Sequence, residues 1–192
     1  MPCEPPPPET SMRRLLLAVL LSLPATAFAV GFNDDDEDDT PPTPTVTTTE
    51  CEAGTVHDPE TDSCVAIEDS RLDDDALYRA VRELAYAGRT SDALAALRRM
   101  SDQDEGRVLT YLGFVHRRMG DREAGLRYYR KAIALDPDNL LARSYMAQGF
   151  VEEGLTELAR AELSEIRARG GRGSWAEVSL RLAIQSGRGY SY

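Results

Sequence analysis

The 192-residue chain carries 33 acidic against 22 basic side chains, a formal net charge of −11, with three cysteines and 42% apolar residues. So acidic a total disfavours a nucleic-acid partner, because phosphate backbones reward clustered cations. No apolar run past the leader approaches the about 20 residues of a spanning helix, which disfavours stable membrane insertion of the mature chain.

Residues 1–11, with Cys3 and four consecutive prolines, are unlike a signal n-region, so Met12 is the expected start. Met12-Arg13-Arg14, the apolar run from Leu15 to Leu23, Pro24 and Ala27-Phe28-Ala29 read as a secretory signal peptide cleaved after Ala29, making 1–29 leader and signal. Leu15 to Leu17 fit twin-arginine export poorly, and no cysteine follows the cleavage site to carry a lipid anchor. Export to a bacterial periplasm is the expected localisation.

Residues 30–50 are too biased in composition to fold alone. Asp34 to Asp39 is unbroken acid, followed by Thr40-Pro-Pro-Thr-Pro and threonines to Thr49, which predicts disorder. The acidic run lacks the glycine turn and twelfth-position glutamate of a hand-type calcium loop.

In an exported chain Cys51 and Cys64 are expected to form a disulfide around the turn formers Gly54, Asp58-Pro59 and Asp62-Ser63 of loop 51–64. Closing such a loop stabilises by roughly 3 kcal/mol in the chain-entropy picture. The metal alternative, through Cys51, His57 and Cys64, matches no common zinc spacing, so neither metal nor cofactor is expected. Residues 65–73 read as a linker.

The second half repeats. Gly88, Gly120 and Gly154 lie 32 and 34 residues apart, each between two stretches of helical period. Upstream, Leu77 and Leu84, Leu109, Leu112 and His116, then Met146 and Phe150 make one stripe, with Val81, Gly113 and Ala147 in a shared position inside it. Downstream, Ala93, Gly125 and Ala159 correspond, as do Leu97, Tyr129 and Leu163. Small residues on both helices let two backbones approach, so each unit is predicted to be an antiparallel helix pair. Thr90 and Asp121 follow glycine stops and are the expected caps of the second helices. Ser174 and Glu177 make a capping box that opens a last helix over 174–186, with Trp175, Val178, Leu182 and Ile184 as its apolar face. Residues 187–192 look frayed.

Residues 106–139 resemble the tetratricopeptide repeat family through Leu112-Gly113, Gly120-Asp121, Tyr129, Ala132 and Asp136-Pro137, with Leu109 for the bulky opener and Gly125 for the usual alanine. Residues 74–105 and 140–171 resemble it more weakly. Val81 and Glu105 depart in the first, Arg143 and Gly171 in the third, as terminal copies of such arrays often do. The resemblance implies an all-α fold: an α-solenoid of three helix pairs plus a C-terminal capping helix, preceded by a disordered segment. It also implies a protein or peptide partner held in a groove lined by the first helix of each pair. Carried over by position, the groove residues are Tyr78, Arg82, Tyr86, Arg107, Thr110, Phe114, Arg117, Arg118, Ser144 and Gln148.

Charge is divided between the halves. Asp34 to Asp75 holds 16 acids and one arginine, whereas Ala76 to Tyr192 holds 15 acids and 19 bases. A mildly basic groove beside aromatic rings suits an acidic peptide, and the acidic segment could compete for it in cis. Tyr78 and Phe114 could equally be packed between helices, with the arginines only solvating the surface. No phosphate loop, zinc helix, nucleophile elbow or redox cysteine pair is present, and no enzymatic activity is expected. The expected function is an exported adaptor, monomeric or weakly self-associating. The alternatives are an accessory subunit of an envelope enzyme, or a small wall-binding protein acting through the Cys51–Cys64 loop.

Overall fold

The computed structural model describes Met1, Pro2 and residues 40–189. The rest of the expected leader and signal peptide, with Met12 and Ala29, lies outside the described residues, as do the acidic run Asp34–Asp39 and residues 190–192.

Three helix pairs follow one another. They are α2 (Asp74–Tyr86) with α3 (Thr90–Arg99), α4 (Gly106–Arg118) with α5 (Arg122–Leu135), and α6 (Leu140–Glu152) with α7 (Thr156–Ala168). The last helix, α8 (Trp175–Ser186), packs on α6 and α7. Ahead of the pairs stand one helical turn, α1 (Val46–Thr49), and the antiparallel hairpin of β1 (Thr55–Asp58) and β2 (Ser63–Ala66). The all-α solenoid is as expected.

The three aligned glycines end the first helix of each pair. Gly88, Gly120 and Gly154 take left-handed φ of 79°, 91° and 75°. The next residue's amide reaches back five positions, Arg89 to the Leu84 carbonyl at 2.9 Å, Asp121 to His116 at 2.9 Å and Leu155 to Phe150 at 2.8 Å. This is the Schellman closure, in which the glycine lacks the Cβ that would strain the left-handed turn. Asp121 caps α5 through the Ala124 amide at 3.0 Å. Thr90 does not cap α3: it is already that helix's first residue, and Arg89 holds the cap position without a side-chain bond to a helix amide.

The central pair shows why small residues recur. A Cβ on Gly113 would stand 2.5 Å from the buried Tyr129 ring, and one on Gly125 would stand 2.9 Å from the Gly113 carbonyl. Tyr129 fills the space both glycines leave, and burial pushes its phenol up to about 12 against the pull of Arg117. The same ring belongs, with Ala132, Leu109 and Val115, to a core that runs from Val56 to Trp175.

The segments expected to be disordered or linking form a cap on the first pair. Residues 30–39 are outside the described residues, but from Thr40 onward the chain lies against α2. Glu83 accepts from the Thr45 amide at 2.6 Å and hydroxyl at 2.7 Å, from the Thr48 amide at 3.1 Å, and from the Thr48 hydroxyl. Arg89 donates to the carbonyls of Thr47, Cys51 and Glu52 at 2.7–2.9 Å, and Asp92 holds its guanidinium from the other side at 2.7 Å. The disulfide joins Cys51 to Cys64, with Cα atoms 5.6 Å apart. Val56, Val65, Ile67 and Leu72 then reach the common core, so 65–73 is packed structure and no free linker.

At the other end Ser174 caps α8 by accepting from the Glu177 amide at 3.3 Å, but the expected box is only half formed: the Ser174 amide donates to the Gly171 carbonyl and the Glu177 carboxylate is held by Arg167 at 2.6 Å. The fully buried side of α8 is Trp175, Ala176, Ser179, Leu180 and Ala183. Val178, Leu182 and Ile184 are partly exposed, because α8 is rotated to meet α6.

Gly113→Val should cost about 1–3 kcal/mol by overpacking against Tyr129, seen as a thermal midpoint lowered by several degrees. An unchanged midpoint would mean that α4 and α5 do not meet this closely. Arg89→Ala strips three backbone carbonyls of a charged donor and should cost about 2–4 kcal/mol. Limited proteolysis should then cut first between Thr40 and Leu72; protection equal to wild type would contradict the anchoring role.

Candidate functional site

The residues expected to line a groove lie on α2, α4 and α6, and the structure brings three of the ten, Tyr78, Tyr86 and Phe114, into one closed aromatic cluster. Tyr86 stacks on Phe114 with ring centres 5.2 Å apart, and its hydroxyl meets that of Tyr145 at 2.7 Å. Phe114 also lies 5.0 Å from Tyr145, and Tyr111 packs edge-on to Tyr78 at 5.6 Å. Trp175 of α8 adds a contact with Tyr86. Burial pushes the phenols of Tyr86 and Tyr145 upward, so this is a neutral, interior aromatic seam.

Three of the four arginines of the set are engaged. Arg82 donates to the Thr40 carbonyl at 2.7 Å. Arg107 lies over the Tyr78 ring at 4.9 Å and pairs with Asp75 at 2.7 Å and Glu105 at 2.6 Å. Arg117, with its side chain 7% exposed, is bound to Glu152 at 2.6 Å. Arg118 is exposed and has no ion pair among the described residues.

Three expected groove residues are interior. Thr110 is buried, donating to the Gly106 carbonyl at 2.7 Å and accepting from Asn139 at 3.1 Å. Ser144 and Gln148 are buried under α8, where both meet the Ser179 hydroxyl, at 3.1 and 3.3 Å. The capping helix covers the part of α6 that an array with an open end would offer to a ligand. On α2, Thr40 to Thr48 of the chain itself cover the Arg82 and Tyr86 stripe, leaving a cleft of about 290 Å³ between Pro41–Pro44 and Tyr86.

The side of the second helices is open. Among the described residues Leu135, Leu155 and Leu158 are 45–58% exposed, all at the end of α5 or the start of α7. A furrow of about 480 Å³ runs between α5 and α7 over a floor of Met146 and Phe150 from α6. This surface was missed in the sequence, where the visible signal is that Leu155 and Leu158 fall off the Ala159–Leu163 stripe of α7.

The cysteine hairpin is a second, smaller candidate. His57 pairs with Cys64 in register, and its Nε2 lies 3.2 Å from the exposed Asp62. Asp58 accepts from the Thr61 hydroxyl at 2.8 Å and the Glu60 amide at 2.9 Å, while Arg71 bridges Asp69 at 2.8 Å and Asp58 at 3.6 Å. These bonds brace the hairpin's turn and tie it to residues 69–71. Among the described residues no group of three or more histidine, cysteine or acidic side chains is placed to hold a metal ion, and no helix is long and apolar enough to cross a membrane.

The central pair decides the comparison with known families. Residues 106–139 match the family model of the tetratricopeptide repeat. This match covers α4, α5 and the turn to α6, and the flanking pairs copy its glycine closure. No curated protein matches the chain, and no solved structure does.

Arg71 holds the Asp69 carboxyl down at about 2, and hydrogen bonds from Thr61 and Glu60 hold Asp58 below the usual carboxylate range. A carboxyl whose folded pKa lies below its unfolded value contributes stability above the unfolded pKa, near 4, and loses it as pH falls through the folded one. Urea midpoints should therefore drop between pH 4 and 2, and Asp69→Asn should flatten part of that drop. Identical wild-type and Asp69→Asn profiles would remove the Arg71 pair from the account.

Proposed function

We propose that this protein is an exported adaptor that holds a protein partner on its capped helical array. The observation that carries the reading is the tetratricopeptide repeat at 106–139, set between two helix pairs with the same closure. Repeats of this kind serve in general as protein-binding scaffolds of a non-catalytic sort. The furrow between α5 and α7 adds an open surface lined by Ile133, Met146, Phe150 and Leu158 beside Arg130, on helices packed into the array. Export to a bacterial periplasm is supported by the apolar leader from Leu15 to Leu23 with Ala27-Phe28-Ala29, and by a disulfide that an oxidising compartment preserves.

The partner acts on surfaces that the chain does not use for its own packing. Arg82, Arg107 and Arg117 belong to internal pairs, so an acidic peptide that competed for them would have to break those bonds first. Arg118 on the first-helix side and Leu158 on the second-helix side are both exposed and tolerant of charge.

Affinity capture from envelope extract, with the full chain as bait, tests this. The wild type should retain a protein that is lost with Arg118→Glu or with Leu158→Glu, yet kept by the Cys51→Ser, Cys64→Ser double variant. Loss with the cysteine variant alone would transfer the function to the hairpin, and no enrichment over blank resin would sink the adaptor reading.

A further inference from the structure

The furrow between α5 and α7 has the shape and lining of a site for one more helix. Its α5 wall is formed by Arg130 and Ile133, with Leu126 and Arg122 one and two turns earlier in a narrower recess past Phe150. Those positions fall four, four and three residues apart, one face of the helix over about 16 Å. The floor is Met146 and Phe150, and the far wall is Leu158, half exposed and about a quarter-turn round α7 from its buried Ala159, Leu163 and Ile166.

Charge around the furrow is one-sided. Among the described residues Arg122 and Arg130 form no ion pair, whereas their neighbours Arg127 and Lys131 are bound to Glu123 and Asp104. Arg143 and Glu162 at the far end neutralise each other at 2.9 Å. Glu153, at the entrance by Arg122, is the acid on the opposite lip. The α5 edge therefore presents two free guanidiniums, two helical turns apart, beside a strip of apolar surface.

We propose that this furrow docks an amphipathic helix of a partner protein, whose apolar face covers Met146, Phe150 and Leu158 and whose acidic flank meets Arg130 and Arg122. Both walls are helices with their backbone groups satisfied internally, so an extended segment would find no main-chain partners there. A helix brings its own backbone bonds and offers side chains alone. Carboxylates seven or eight residues apart on one flank match the Arg122 to Arg130 spacing and can each accept from a guanidinium. The inference rests on the adaptor reading and adds to it the face and the chemistry of the partner.

A displayed library of single helices, randomised on one face and panned against the full chain, tests it directly. The enriched sequences should pair a leucine-rich or phenylalanine-rich face with Asp or Glu seven or eight residues apart. Synthesised, they should bind at least tenfold more weakly to the Leu158→Glu and Arg130→Glu variants, and Glu→Lys peptides should regain affinity for Arg130→Glu. Enriched helices indifferent to both variants would overturn the furrow as the site. No enriched helix, with envelope capture still lost on Leu158→Glu, would overturn the helical occupant and leave the adaptor standing. A concentration-dependent dimer in sedimentation, abolished by Leu158→Glu, would assign the furrow to a second copy and overturn the partner helix.

Discussion

A stacked helix pair cannot bury its own apolar faces, and that one constraint shapes both ends of this molecule. The central pair is covered on either side by its neighbours. The outer pairs are not, and each is closed by a different device. At the start, a disulfide-tied hairpin and a single helical turn are pinned through Glu83 and Arg89, which places Val56, Val65 and Ile67 on the first pair. At the end, α8 takes the position that another first helix would hold, with Leu180 and Ala183 fully buried against α6 and α7. Polar groups do the positioning at the front because a short segment carries too little apolar surface to fix its own place.

The aromatic seam follows from the same stacking. Tyr86, Phe114 and Tyr145 come from three successive first helices and meet because α4 holds α2 and α6 on either side of it. Filling that face with rings and paired arginines makes the short array self-supporting. It also removes from use the surface on which the resemblance would seat a peptide, and leaves the second-helix side, with Leu155 and Leu158, as the exposed apolar surface. In three pairs with a lid at each end, the demands of stability and of binding are met on opposite sides.

How much of this was legible depended on the range of the signal. The glycine closures at 88, 120 and 154, the Asp121 cap and the Ser174 cap are local patterns, and each stands where the sequence puts it. The small residues Gly113 and Gly125 also spoke for themselves, since few arrangements other than a close helix crossing call for both. The binding side did not. Ser144 and Gln148 read as groove positions because the resemblance gives the groove to the first helix of each pair, but Ser179 of α8 satisfies both inside the core. Thr45, Thr48 and Arg89 carried no signal at all, because their partners lie 35 to 42 residues away.

The sequence by itself determined the helix pairs, their turns and the closeness of α4 to α5, because backbone closure and steric room are set by residues within a few positions or by the absence of a Cβ. The tertiary structure alone decided which polar side chains are free and which are spent. An arginine's availability depends on whether a carboxylate or carbonyl from a distant element has reached it first, and that is a property of the assembled fold.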